Sequence, residues 1–234
     1  MERCVLDDAE SVAESAARFV ADVLRDAIAA RGRATLALSG GRTPARMLER
    51  LATASLPWPK VHVFQTDERV VAGDDPASNA HAIRRLLTER IALPPSQIHF
   101  MPVESGDVEG AARAYQATLR AVAGTPPRLD LVHLGLGADG HTASLFPGDA
   151  TATERERDVA VTPAHGGWRR MTLTAPVLEG SRRLLWLVCG AEKRPALGAL
   201  LRADPATPAG RLPQDRARLF ADREAAGDPV PEPR

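Results

Sequence analysis

A single doubly wound α/β domain, a mostly parallel sheet with helices on both faces, is the fold class that this sequence predicts. Short apolar runs of strand character alternate with segments of helical periodicity along almost the whole chain. No internal repeat and no linker divides the 234 residues into two units. Strands that alternate with helices need right-handed crossovers, and those place the strands parallel with both faces covered.

The elements follow in order. In "DDAESVAESAARFVADVLRDAIAARG", Val12, Ala16, Phe19, Val23 and Ala27 recur at helical spacing, and Gly32 is placed to stop the helix. "ATLALSGG" reads as a buried strand, "TPARMLERLA" as a helix with Pro44 in its first turn, and "VHVFQTDE" as a second strand. "SNAHAIRRLLTERI" looks helical, with Ser78 and Asn79 as its cap, "IHFMPV" extended, "DVEGAARAYQATLRAVAG" helical and "LDLVHLGLG" extended. Next come the extended "DVAVT", "RRMTLTAPVL" and "RRLLWLVCG", then the helical "AEKRPALGALLRA". The domain is expected over residues 1–227, with the proline-rich "DPVPEPR" of 228–234 as a flexible tail.

Composition narrows the function. Hydrophobic residues make up 44% of the chain and charged ones 26%, enough for a well-buried core in a soluble globular enzyme. Thirty basic and thirty acidic side chains cancel, so no net field draws the protein to nucleic acid or to an anionic membrane, and any anion must be captured locally. Cys4 and Cys189 lie far apart and read as inert reduced thiols. Neither a signal peptide nor a transmembrane run is visible, so a cytoplasmic enzyme, a monomer or small homo-oligomer with a small-molecule substrate, is the expectation. Lys60 and Lys193 are the chain's two lysines, so each invites inspection.

In open α/β sheets ligands gather at the carboxyl ends of the strands, and four loops fit that position. In "LSGGRTP", Gly40 and Gly41 form a potential amide nest, with Thr43 placed to cap the helix; the plain alternative is an ordinary tight turn. "QTDERVVAGDDPASN" packs Asp67, Glu68 and Arg69 at a strand end, either a solvated edge or a site. "GLGADGHTASLFPG" matches G-x-G-x-x-G through Gly135, Gly137 and Gly140, yet Pro147 and Gly148 leave no room for the long helix of a dinucleotide site. In the fourth, Arg170 starts one strand and Lys193 opens a helix, where a cation opposes the helix dipole and suits anion capture. His62, His81, His99 and His133 read as packing residues, and His165 sits in a glycine-rich loop without an assigned role. His141 has a carboxylate, Asp139, two positions away, an arrangement able to take and return a proton in ester or lactone hydrolysis. Two ligands without a third make a metal site there weak.

Together "LALSGGRTP", "DERVV" with the later "SN", "LGLGADGHTASLFPG" and "VCGAEKRPAL" resemble the 6-phosphogluconolactonase family over nearly the whole chain. Arg42 departs from the small hydroxyl residue often found there, and Val71-Ala72 from the usual Val-Pro. The resemblance implies a Rossmann-like fold and cofactor-free hydrolysis of 6-phospho-D-glucono-1,5-lactone. It implies His141 as general base, Asp139 as its orienting partner and Arg69 as stabiliser of the carbonyl oxygen, with Ser39, Gly40, Gly41, Thr43, Asp67, Arg170 and Lys193 binding the sugar phosphate. Glucosamine-6-phosphate deaminases share the first loop and a similar DGH segment, and they are the rival reading. They carry an acid just before the proline where this chain has Phe146, and Asp-Glu-Tyr where it has Asp67-Glu68-Arg69. A sugar-phosphate sensor without turnover is the second alternative.

Overall fold

The structure, a computed structural model, describes residues 1–227, so the expected tail lies outside the described residues. A first strand, β1 (Glu2–Leu6), precedes a long helix, α1 (Ala9–Arg31). β2 (Ala34–Leu38) leads into α2 (Arg42–Leu51), and β3 (Val61–Gln65) into the short β4 (Asp67–Arg69) and α3 (Asn79–Ile83). β5 (Ile98–His99), α4 (Val108–Ala123), β6 (Leu131–Leu134), β7 (Val159–Val161), β8 (Arg170–Leu173) and α5 (Ala175–Gly180) come next. β9 (Leu184–Val188), α6 (Arg194–Leu201), α7 (Pro208–Arg211), β10 (Ala217–Asp222) and α8 (Arg223–Ala226) complete the described chain.

Seven strands form one parallel sheet in the order β1-β10-β9-β6-β2-β3-β5. Side chains alternate across it. Leu36, Leu38, Val63, Leu185 and Leu187 pack against α1, α2 and α3, whereas Ala37, Phe64, Val132, Trp186 and Leu219 pack against α4, α5 and α6. The doubly wound class therefore holds, and no helix among the described residues is long and apolar enough to cross a membrane. α1 starts where the Asp8 carboxylate accepts the Ser11 N–H at 2.8 Å, and it ends at Gly32, whose φ of 75° suits glycine. Its buried stripe runs through Val12, Ala16, Val20, Leu24 and Ala27, with Phe19 and Val23 on the flank, because a 3.6-residue turn drifts from the spacing read in sequence.

Several elements differ from the sequence reading. β1 is an edge strand whose charged residues and half-exposed Val5 hide its strand character, and β10 beside it is a further strand beyond those that the sequence predicts. "RRMTLTAPVL" is extended only as far as Leu173; Pro176 then sits in the first turn of α5, where it is tolerated. The helix after Ser78 turns into a π-helical stretch over Arg84–Thr88. Finally β4, β8 and β7 leave the main sheet and form a separate antiparallel sheet that pairs Arg69 with Arg170 and Asp67 with Thr172.

Three of the four histidines expected in packing positions, His62, His99 and His133, do pack. His62 and His99 stack and share a 3.0 Å hydrogen bond across β3 and β5, and His133 is fully buried in β6. Burial pushes the His133 imidazole down to about 4, and burial with His62 beside it does the same to His99. The unfolded chain takes up these protons near pH 6.5, as ordinary histidines do, while the folded chain resists them down to about 4. Stability is thus full above the unfolded value and declines as pH falls through that window. Urea unfolding between about pH 7 and pH 4.5 should show the decline, and His133→Leu should flatten the slope by about 1.4 kcal/mol per pH unit, one proton's worth. An unchanged slope in the variant would remove His133 from the effect.

Candidate active site

Strand order reverses between β2 and β6, the place where a doubly wound sheet opens a crevice at its carboxyl edge. The loops after β2, β3, β6 and β9 meet there around a cleft of about 360 Å³. A larger hollow of about 580 Å³ lies at the opposite end of the strands, but its charges largely pair, Arg31 with Asp130 and Arg218 with Glu2. The cleft differs in this respect. Arg42, Arg69, Arg170 and Lys193 all line it, and among the described residues none of them forms a salt bridge.

The first loop supplies backbone donors. Gly41, at a φ of 113°, is the N-cap of α2 and brings no side chain to it. Thr43 is not the expected cap, because the helix starts earlier, at Arg42, and no side chain caps its first turn. Together with Gly40 these amides form the positive end of the α2 dipole at the cleft wall. Ser39 is buried beneath them, and its N–H donates to His133 Nδ1 at 3.4 Å.

Alternation along β4 sorts the second loop. Asp67 and Arg69 face the cleft, and Glu68 points inward at 1% exposure. The Asp67 carboxylate accepts from Ser144 Oγ at 2.6 Å and Thr66 Oγ1 at 3.1 Å, so it ties two loops together as well as lining the cleft. Arg69 donates to the Ala77 carbonyl at 2.5 Å and lies directly opposite Arg170. Burial, and after it the Arg69 guanidinium, push Arg170 below the ordinary arginine value. Asn79, assigned in sequence to helix capping along with Ser78, splits from it: Ser78 caps α3 by accepting the His81 N–H at 3.1 Å, whereas Asn79 lines the cleft. Only its place in the fold distinguishes the two.

The third loop holds the titratable pair. His141 Nδ1 lies 2.6 Å from Asp139 Oδ1, and the same oxygen accepts the His141 backbone N–H at 3.1 Å. Burial opposes the shift, but these hydrogen bonds and the imidazole hold the Asp139 carboxyl below the usual carboxylate range. With Nδ1 committed to the carboxylate, Nε2 makes no hydrogen bond among the described residues, on a side chain that lines the cleft. Gly137 is obligatory: a Cβ there would lie 2.1 Å from His141 Nδ1 and 2.6 Å from Asp139 Oδ1. No α-helix follows this loop before α5, which agrees with the reading against a dinucleotide site.

In the fourth loop Lys193 stands at the N-cap of α6, where its charge opposes the helix dipole. Cys189 also lines the cleft, and burial with the Asp222 carboxylate pushes its thiol up to about 12, which leaves it unreactive. Of the site residues expected from the sequence, Ser39, Gly40, Gly41, Thr43, Asp67, Arg69, His141, Arg170 and Lys193 line this one cleft, whereas Asp139 does not line it and reaches it through its bond to His141.

A family model described as glucosamine-6-phosphate isomerases/6-phosphogluconolactonase matches residues 7–221. The chain belongs to that family. A 6-phosphogluconolactonase from Synechocystis is 40% identical over 222 residues, 92% of each chain. The solved 6-phosphogluconolactonase of Thermotoga maritima superposes with a TM-score of 0.85 at 28% identity, over 94% of this chain and 98% of its own. A monomeric glucosamine-6-phosphate deaminase superposes equally well, TM-score 0.85 at 23% identity over 97% and 99% of the chains, and it shares the fold. This family enzyme therefore has relatives of both kinds on one scaffold, and the side chains in the cleft must separate them. The four cations predict capture of inorganic phosphate by the enzyme in calorimetric titration. Arg170→Gln should weaken binding about tenfold or more; equal affinity in the variant would exclude Arg170 from the anion site.

Proposed function

We propose that this enzyme hydrolyses 6-phospho-D-glucono-1,5-lactone to 6-phospho-D-gluconate, with His141 as general base. The observation that carries the reading is the Asp139–His141 pair, with Nε2 free on the same cleft wall as two arginines that have no carboxylate partner. The phosphate lies against the Gly40 and Gly41 amides and the Thr43 hydroxyl, with Arg170 and Lys193 supplying charge and Arg42 within the same wall. Ser39 and Asp67 shape the floor. Anchoring the end remote from the reaction orients the lactone carbonyl, so binding energy is spent on geometry.

The chemistry then needs only water and the protein's own groups. His141 Nε2 takes a proton from water as its oxygen attacks C1, and Asp139 stabilises the imidazolium that forms. Arg69 meets the negative charge developing on the carbonyl oxygen. As the tetrahedral intermediate collapses, the bond from C1 to the ring oxygen breaks and the imidazolium returns its proton to that oxygen. The deaminase alternative lacks its acid: position 146 is a buried phenylalanine against the His141 ring, centroids 4.5 Å apart, with no carboxyl to donate.

Decay of freshly generated lactone, corrected for spontaneous hydrolysis, tests the proposal, with ammonia release from glucosamine 6-phosphate run beside it. Acceleration of the first alone is expected; ammonia release, or binding without turnover, would overturn it. His141→Ala should lower kcat by roughly a hundredfold or more while leaving KM nearly unchanged. Lys193→Ala should raise KM about tenfold at constant kcat; a pure kcat loss would move Lys193 to the reacting end.

A further inference from the structure

The loop between β7 and β8 turns back on itself at the rim of the cleft. His165 and Trp168 pair antiparallel, the His165 N–H donating to the Trp168 carbonyl at 2.9 Å and the reverse bond measuring 3.3 Å. Gly166 and Gly167 close the turn at φ values of 59° and 88°, conformations that other residues rarely hold. The two ends of this hairpin carry aromatic rings with different partners. His165 stacks on Phe146, centroids 4.0 Å apart and planes 16° from parallel, and Phe146 also meets the His141 ring, centroids 4.5 Å apart and planes tilted by 40°. Trp168 carries the Arg69 guanidinium over its face, 5.5 Å from Cζ to the ring centroid.

Neither ring lines the cleft. His165 is nevertheless anchored with care: its Nε2 lies 2.8 Å from an oxygen of Asp149, a carboxylate whose side chain is 3% exposed and which also accepts the Thr151 N–H at 2.8 Å. Trp168 is 40% exposed, which forgoes apolar burial that a large indole normally gains. Each ring compensates for a freedom left in its partner. The bond to Asp139 restrains His141 at one nitrogen and leaves the tilt of the imidazole to its neighbours, while Arg69 Nε has no hydrogen-bond partner and one Nη carries the single bond to Ala77.

We propose that the His165–Trp168 hairpin is a positioning element for the reaction, holding the His141 ring through Phe146 and the Arg69 guanidinium directly. The inference rests on the roles given to His141 and Arg69 above. Its chemistry is ordinary: a planar neighbour limits ring tilt, a cation sits favourably over an indole face, and small misplacements of reacting groups are costly in rate.

Trp168→Ala should lower kcat about tenfold with KM within about twofold, and Trp168→Phe, which keeps an aromatic face, should recover most of the loss. His165→Ala should behave alike, and His165→Phe should restore the stack. In an Arg69→Ala background Trp168→Ala should add nothing further. An equal fall in both backgrounds, or a KM rise in place of the kcat loss, would overturn the inference while leaving the lactonase reading intact. An Arg69→Ala variant with full kcat would instead sink the role of Arg69, and the Trp168 half of the inference with it. The contact itself has a readout without turnover. Trp58 and Trp186 are 6% and 0% exposed, so acrylamide quenching of the enzyme minus that of Trp168→Phe isolates Trp168. Arg69→Ala should increase that quenching; no increase would show that the guanidinium does not cover the indole.

Discussion

The cleft depends on one buried carboxylate. Glu68 accepts five hydrogen bonds: from Gln65 Nε2 at 2.7 Å, the Arg69 N–H at 2.8 Å, Ser78 Oγ at 3.2 Å, and the first amides of α3, Asn79 at 2.8 Å and Ala80 at 2.6 Å. A charge taken out of water is costly unless such donors replace the solvent, and here two of them belong to the positive end of a helix. Because Glu68 must point inward, its neighbours Asp67 and Arg69 must point to the cleft. The same clamp sets Asn79 against the first loop so closely that a Cβ on Gly40 would lie 1.9 Å from Asn79 Oδ1. Strand β4, helix α3 and the amide-rich loop therefore behave as one unit, and removing the carboxylate would free all three.

Much of this was legible in the sequence because local rules agree with the global fold in the central strands. "ATLAL" and "RRLLWLV" are apolar enough to be buried on both faces, and their carboxyl ends are marked by glycine. Hence the four loops, the Asp139–His141 pair and the cations could be placed in one crevice from topology alone. What stayed hidden depends on long-range pairing. Three adjacent charges read as a solvated edge until β8 pairs with β4 and gives each a direction. Asn79 and Ser78 are equivalent caps by composition, and the turn at Asn79 that brings it against Gly40 is a tertiary fact. His165 and Trp168 have no local signal at all: their partners Phe146 and Arg69 are far away in sequence and on different loops.

Pairing Arg69 with Arg170 across two strands is unfavourable on its own terms, since like charges directly opposite in a sheet repel. Partial burial makes the repulsion larger by lowering the effective dielectric. The fold offsets it locally with aromatic faces, Trp168 for Arg69 and Phe146 for Arg170 at 4.9 Å, which stabilise a guanidinium without neutralising it. A carboxylate partner would have satisfied each arginine more strongly but would have competed with a bound anion. Ring faces leave the full charge of both guanidinium groups directed to the cleft that they line. The unpaired state of these cations is thus a built property of the cleft.

Phe146 connects the electrostatics to the choice of reaction. One ring touches His141, His165 and Arg170 at once, so it stands at the junction of the titratable pair, the β7–β8 hairpin and the cleft's cations. A carboxylate at that position would have to be desolvated against an imidazole and beside a guanidinium, and it would pair with one or both. Paired with Arg170 it would cancel charge that lines the cleft; paired with His141 it would compete with Asp139 for the ring. The phenyl ring avoids both outcomes, since it packs against the imidazole without accepting its proton. On a scaffold that solved lactonase and deaminase structures share, an apolar residue at this one position therefore does more than omit an acid. It preserves an imidazole whose one carboxylate partner among the described residues is Asp139, the arrangement that the proposed proton transfers by His141 require.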